Sequence, residues 1–264
     1  LQSGINNFLD HWPRIKKTLK GKNIFLFLDY DGTLTPIVDH PARAVLAPET
    51  KAILERLNRS GHCRVVIVSG RALLDLKEKV EIRKMTYIGN HGFEILGPGI
   101  HFESGYFTQT RKIFDKIIEE LRKTLITMPE VLIEDKRITL SIHVRRLDKR
   151  KKPLLKRTLF KIIEPYVRLK EIYLREGKEV YELRPPVKWD KGKAVLWFLK
   201  DCDKPSKIPI YIGDDQTDED AFVALKDIAI TVHVGEGQSA AQYFIESPGQ
   251  VKVLLEEILM LKNE

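Results

Sequence analysis

The sequence predicts an α/β protein: a parallel sheet with helices on both faces, interrupted by a second, inserted α/β domain. Three observations carry this. Apolar runs such as "FLFLD" and "RVVIV" read as strands buried on both faces. They alternate with helical patterns, the order that builds a parallel sheet. Between residues 107 and 184 the pattern changes to paired short strands of alternating polarity, the mark of antiparallel pairing against helices on one side.

The elements follow in order. Residues 1–20 read as a helical arm, and residues 23–30 as the first strand. Residues 47–61 read as a helix, with Pro48 in its first turn, Ile53, Leu54 and Leu57 on one stripe, and Gly61 at its end. A strand at 64–71, a helix at about 71–80 and a strand at 85–92 come next. Gly97-Pro98-Gly99 marks a hairpin turn. The inserted domain opens with an amphipathic helix at 110–126, carrying Ile113, Phe114, Ile117, Ile118, Leu121 and Leu125 on one side. Strands "VLIEDK" and "ITLSIHVR", a helix at 153–165, and strands "KEIYLRE" and "EVYELRP" complete it. The first pattern then returns, with a helix at 191–200, a strand at 208–215, a helix at 218–226, a strand at 228–234 and terminal helices. The domains are therefore expected at 21–106 with 185–264, and at 107–184.

Composition narrows the class. With 264 residues, 43% hydrophobic and 31% charged, the chain can bury a core unaided by disulfides or metals. Cys63 and Cys202 fit neither a disulfide framework nor a zinc site, so a reducing, cytoplasmic setting is expected. No apolar run is long enough to predict a membrane span, and no signal peptide is read. From the start at Leu1 rather than Met, a processed form or a piece of something longer is expected. A net charge of +8 draws attention to polyanions. The excess gathers in "RRLDKRKKPLLKR", which reads as a solvated helix edge, and nothing resembles a nucleic-acid motif.

The chemistry lies at strand ends, where open parallel sheets bind ligands. The first strand ends in Asp29, Asp31 and Thr33; the second in Ser69, Gly70 and Arg71; a later one in Gly213, Asp214, Asp215 and Asp218. Carboxylates converging at one edge need a cation, and an oxygen-only donor set points to Mg²⁺. Thr33, Ser69 and Lys191 offer two hydroxyls and a point charge for a phosphate. Asp29 can then attack phosphorus, while Asp31 protonates the leaving alcohol and afterwards activates water.

At these residues the chain resembles the haloacid-dehalogenase phosphatases. The matching motifs are Asp29-Tyr-Asp31-Gly-Thr33, Ser69-Gly-Arg71, Lys191, and Gly213-Asp214-Asp215 with Asp218. The resemblance implies a Rossmann-like core with an inserted α/β cap, and Asp29 as nucleophile with Asp31 as general acid and base. It implies Mg²⁺ held by Asp29, the Asp31 carbonyl and Asp214, with Asp215 and Asp218 nearby. It also implies a phosphate site of Thr33, Ser69, Gly70, Arg71 and Lys191. Within that superfamily, "GNHGFE", "IEDKRITLSIHVR", "YELRPPVKWDKGKA" and "GDDQTDEDAF" together resemble the trehalose-6-phosphate phosphatases. That implies Glu134, Lys136, His143, Arg145 and Glu182 as sugar contacts, and the last step of trehalose biosynthesis. A trehalose-6-phosphate synthase domain or protein is the implied partner; these 264 residues are too few to include one, as expected of a stand-alone phosphatase or of a piece cut from a fusion. His91 in "GNHG" is a further candidate for the site.

The residues themselves place Thr139, Ser141, His143 and Arg145 on one face of their strand, with Leu140, Ile142 and Val144 on the other. Such a polar face suits sugar hydroxyls, which both donate and accept; a solvated sheet face is the simpler alternative. Trp189 and Trp197 read as core or junction residues. Competing functions are hydrolysis of mannosyl-3-phosphoglycerate, sucrose phosphate or glucosylglycerol phosphate, a phosphomutase, and a non-catalytic sugar-phosphate-binding partner of a synthase. Nucleic-acid and membrane partners are not expected.

Overall fold

The computed structural model describes residues 5–103, 105, 107–177, 179–200 and 207–261; Cys202 and residues 1–4 of the expected arm lie outside them. In chain order the elements are β1 (Asn6–Asn7), α1 (Phe8–Leu19), β2 (Asn23–Asp29), α2 (Pro48–Arg59), β3 (Cys63–Val68), α3 (Leu73–Val80), β4 (Thr86–Gly89), β5 (Glu94–Gly97) and β6 (Ile100–Glu103). Then come α4 (Phe107–Thr124), β7 (Leu132–Asp135), β8 (Leu140–His143), α5 (Lys152–Arg168), β9 (Tyr173–Gly177) and β10 (Val180–Arg184). The chain closes with α6 (Lys191–Lys200), β11 (Lys207–Gly213), α7 (Gln216–Leu225), β12 (Ile230–Val234), β13 (Tyr243–Ile245) and α8 (Pro248–Met260). Two compact units form, one from the residues up to Phe102 and from Trp189 onward, the other from Glu103–Lys188.

The first unit is built on a nine-stranded sheet in the order β1-β13-β12-β11-β2-β3-β4-β5-β6. β2 runs parallel to both β3 and β11. Its alternation separates two cores. Ile24, Leu26 and Leu28 pack with residues of α1, α2, α3 and α8. Phe25 and Phe27 point the other way, against Val195, Phe198 and Phe222 of α6 and α7. A strand buried on both faces has no polar side, which is why its sequence is a continuous apolar run. Full burial of each phenylalanine contributes about 1.5–3 kcal/mol.

The N-terminal arm is part of this unit. Phe8, Trp12, Ile15 and Leu19 of α1 are buried in the first core, and β1 pairs parallel with β13. β13 was not expected; it occupies part of the stretch before α8 where the sequence suggests a further helix. The strand expected over 85–92 ends at Gly89, because Asn90, His91 and Gly92 take left-handed backbone angles and curl into a 3-10 turn. The strand expected over 208–215 ends at Gly213, and Asp215 instead caps α7.

The second unit is a four-stranded antiparallel sheet, β7-β8-β10-β9, with α4 and α5 on one face. Leu140, Ile142 and Leu183 face those helices, packed against Phe114, Ile117, Leu155 and Leu159. The register carries Glu134, Ser141, Glu182 and Arg175 across the sheet as one row. With period-2 alternation, these polar side chains share the face away from the helices.

Candidate active site

Parallel register sets the level of the first site. Asp29 lies opposite Val68, so Ser69 follows one residue on; Leu28 lies opposite Ile212, so Gly213 comes level with Asp29. The loops carrying Asp31, Arg71 and Asp214 therefore leave the sheet at the same end. Glycine makes their close approach possible. At Gly32, with φ +92°, an added Cβ would sit 2.1 Å from Asp214 Oδ2. At Gly70 it would sit 2.3 Å from His91 Cε1.

Asp29 is buried at the head of β2. Lys191, the first residue of α6 and fully buried, donates to Asp29 Oδ1 at 2.6 Å and to Asp218 Oδ1 at 2.8 Å. Asp218 is saturated. Its Oδ1 also accepts from the Tyr211 hydroxyl at 2.7 Å, and its Oδ2 accepts the backbone N–H groups of Asp214 and Asp215 at 3.2 and 3.1 Å. Asp215 is half exposed; its Oδ1 accepts from the Thr217 amide and hydroxyl at 2.7 and 2.6 Å, capping α7. Thr33 donates its hydroxyl to Asp214 Oδ1 at 3.3 Å. Ser69 is buried and accepts the Arg71 backbone N–H at 3.1 Å.

Arg71, expected on phosphate, has its guanidinium committed within the protein. It clasps Asp31 through Nε at 2.7 Å and Nη2 at 2.6 Å, and also donates to Asp75 and the Pro41 carbonyl, each at 2.8 Å. His91 approaches the site in an unusual way. Its backbone N–H donates to Ser69 O at 3.0 Å and that of Asn90 to Arg71 O at 2.7 Å, while Trp189 Nε1 fixes Gly92 O at 2.8 Å. The turn after β4 is thus fastened to the turn after β3, and the His91 ring lies over Gly70.

The charges here do not balance. Asp29, Asp214, Asp215 and Asp218 gather round Lys191, and Arg71 is taken by Asp31 and Asp75. Burial pushes the Asp29 carboxyl well above its ordinary range, against the pull of Lys191. Burial and Asp218 push Asp214 to about 8, and burial raises Asp218 to about 6. Burial also acts to raise Asp215, but Lys191, the Thr217 hydrogen bond and His91 hold it well below the usual range. A surplus of buried negative charge is relieved by a cation. Asp29, Asp214 and Asp218 each bring a carboxylate oxygen to within 4.8 Å of the others. Because Asp218 already accepts four hydrogen bonds, Asp29 and Asp214 are the carboxylates with oxygens to give. Hard oxygen donors with a surplus of charge fit Mg²⁺.

The second unit carries a different polar cluster. Glu134 Oε2 and His143 Nε2 share a hydrogen bond of 2.7 Å. Lys136 Nζ lies 3.7 Å from Glu182 Oε1 and 3.9 Å from Glu134 Oε2. Arg184, not singled out from the sequence, donates to Glu182 Oε2 at 2.7 Å. Its spacing of two from Glu182 on one strand is the signal that could have found it. Arg145 stands beyond the end of β8, exposed, with Glu179 as a charged neighbour.

Comparisons with known proteins bear on the fold and the family. A haloacid dehalogenase-like hydrolase from B. subtilis shares the fold, with a TM-score of 0.57 at 17% identity over 90% of this chain and 98% of that one. The crystal structure of a trehalose-6-phosphate phosphatase related protein superimposes with a TM-score of 0.78 at 27% identity, over 90% of this chain and 97% of that one. Trehalose-phosphate phosphatase B of Arabidopsis thaliana is 32% identical over 97% of this chain and 71% of its own length. The trehalose-phosphatase family model matches residues 27–249. That match starts inside β2, runs through the inserted sheet and passes beyond the Asp214–Asp218 loop, and on this span the chain belongs to the trehalose-phosphatase family.

Proposed function

We propose that this protein is a Mg²⁺-dependent phosphatase that hydrolyses trehalose 6-phosphate to trehalose and phosphate, the last step of trehalose biosynthesis. The observation that carries the reading is Asp29: a buried strand-end carboxylate, bonded to Lys191 at 2.6 Å beside Asp214, in a chain of the trehalose-phosphatase family. Asp29 Oδ attacks phosphorus and the bond to the sugar oxygen breaks, leaving an aspartyl-phosphate. Asp31 supplies the proton to the departing oxygen. Asp31 then takes a proton from water as the water attacks phosphorus, which frees phosphate and restores Asp29. Lys191, Thr33, Ser69 and the Gly70 backbone support the phosphate oxygens, with His91 at the rim. Asp29 and Asp214 are the residues that would hold Mg²⁺, which when bound neutralises charge between an anionic nucleophile and an anionic ester. Asp215 and Asp218 shape the loop that presents Asp214.

The polar face of β7, β8 and β10 supports sugar recognition by Glu134, Lys136, His143 and Glu182, with Arg184 holding Glu182 and Arg145 at the margin. A synthase that makes the sugar phosphate is the partner this implies. The cytoplasmic assignment rests on Cys63, a buried free thiol; no helix among the described residues is long and apolar enough to cross a membrane.

The test is phosphate release with Mg²⁺ and with EDTA from trehalose 6-phosphate, sucrose 6-phosphate, glucose 6-phosphate and mannosyl-3-phosphoglycerate. Mg²⁺-dependent preference for trehalose 6-phosphate is expected. Preference for another ester would keep the catalytic assignment and overturn the substrate.

A further inference from the structure

We infer that Asp75 is a positioning residue for this reaction, acting through Arg71 to hold Asp31 where it can exchange a proton with the sugar oxygen and with water. The inference rests on Asp31 being the general acid and base.

Asp31 has little to hold it of its own accord. It lies in the loop past the end of β2, and its side chain is 41% exposed. A carboxylate in that setting samples several rotamers, yet proton transfer requires its oxygen within about 2.6–3.2 Å of the reacting oxygen. The Arg71 fork removes that freedom. Two parallel hydrogen bonds, from Nε and Nη2, fix both the position and the plane of the carboxylate. When Asp31 carries the proton, one oxygen can turn its O–H outward while the other stays bonded to Arg71.

A fork orients its ligand only if it is itself held. Arg71 Nη1 donates to Asp75 Oδ2 at 2.8 Å, four residues on in the first turn of α3. Nη2 donates to Pro41 O, and the guanidinium carbon lies 5.4 Å from the Tyr30 ring centroid. The Pro41 loop is anchored in turn: Lys79 donates to the Ala42 and Ala44 carbonyls at 3.1 and 3.2 Å. The Arg71 side chain is only 7% exposed, whereas that of Asp75 is 41% exposed. Asp31 is equally exposed but is itself the proposed acid, so Asp75 is the member of the Asp31–Arg71–Asp75 chain that can be altered without opening the core or removing the reacting group.

The experiment compares Asp75→Ala, Asp75→Asn and Asp31→Asn with the parent protein in Mg²⁺. It measures kcat and KM for trehalose 6-phosphate, and kcat/KM across aryl phosphates of graded leaving-group pKa. Melting temperatures check the fold. For Asp75→Ala we expect kcat about tenfold lower with KM within about twofold, since a small misplacement of a catalytic group has effects of this order or larger. The loss is expected to shrink for aryl esters whose leaving groups depart without a proton. Asp75→Asn keeps an acceptor for Nη1 and is expected to recover most of the rate. A loss equal across all leaving groups, an unchanged kcat, or an Asp75→Asn as impaired as Asp75→Ala would overturn the positioning role. Asp31→Asn separates the two levels. If it turns over trehalose 6-phosphate normally, the general acid assignment falls. If it fails while Asp75→Ala works normally, only the role of Asp75 falls.

Discussion

In the first unit, Asp29, Asp215 and Asp218 share one lysine, Lys191, with Asp214 as a further charged neighbour; in the four-stranded sheet, Glu134 and Glu182 are met by Lys136, His143 and Arg184. The first cluster is gathered at the ends of strands, from a loop and the starts of α6 and α7, whereas the second lies along a sheet by strand alternation. The first is left with a surplus that bound protons or an added cation offset. The second balances itself pair by pair. The difference matches two kinds of ligand. Under the proposed function, a surplus of carboxylate would recruit a metal and through it a phosphate, while paired donors and acceptors would present hydrogen-bonding groups to uncharged hydroxyls at no cost in net charge.

The comparison breaks most sharply at Asp29. Asp29→Asn is expected to lower turnover about 10⁴-fold or more, the order seen when a nucleophile is removed, with an unchanged circular dichroism spectrum. Phosphate release at the parent rate would remove the nucleophile from the first cluster. Next in size is Glu182→Ala, which leaves Arg184 and Lys136 short of a partner. We expect kcat/KM for trehalose 6-phosphate to fall about a hundredfold, and that for p-nitrophenyl phosphate to stay within about threefold. Equal losses on both would mean that the second cluster does not read the sugar.

A stability measurement separates the clusters by their charge balance. The Asp214 carboxyl lies at about 8 against an ordinary 3.8, so the folded chain holds a proton there that the unfolded chain has released. Its contribution to stability is present below about pH 4 and is lost as pH rises through about 8. Asp218, at about 6, acts in the same direction over a lower range. The buried His233, whose pKa is lowered, acts oppositely below neutrality, so the reading is the difference with and without Mg²⁺. That difference in melting temperature is expected to grow by several degrees from pH 5.5 to 8.5. A difference independent of pH would argue against a metal on Asp29 and Asp214. The smallest effect is expected from Tyr211→Phe. It takes one of four hydrogen bonds from Asp218, worth about 1 kcal/mol, and kcat/KM is expected to fall about threefold, with no change for a variant of the exposed Tyr173.

Much of this was legible before any coordinates. Continuous apolar runs located β2, β3 and β11, because strands covered on both faces have no polar side to disguise them. The polar residues that end those runs located Asp29, Ser69 and Asp214. Alternation on β8 marked a polar face, and the register adds Glu182 of β10 to it, while Arg145 falls beyond the strand. What stayed hidden depends on distant pairing. Nothing in "SGR" reveals that Arg71 reaches forty residues back to Asp31, or that Asp75, one helical turn on, secures it. Tyr211 reads as one more apolar-strand residue until its hydroxyl is found on Asp218. Asn90, His91 and Gly92 are all residue types that adopt left-handed angles more readily than most, but nothing local announces that three in a row do so. β1 and β13 are too short to carry a period, and only their pairing defines them.

The place of β2 also governs how the molecule comes into being. Its neighbours are β3, which follows closely in the chain, and β11, whose Lys207 pairs with Asn23 after the whole inserted unit has intervened. During synthesis the insert, with its own core, can fold while β2 still has one edge open. Closure of that edge brings Gly213 level with Asp29, and the preceding helix, α6, carries Lys191 to it. Asp29 therefore waits for the last third of the chain to meet its partners, and long-range pairing of this kind makes assembly of the candidate site the slow, late event of folding.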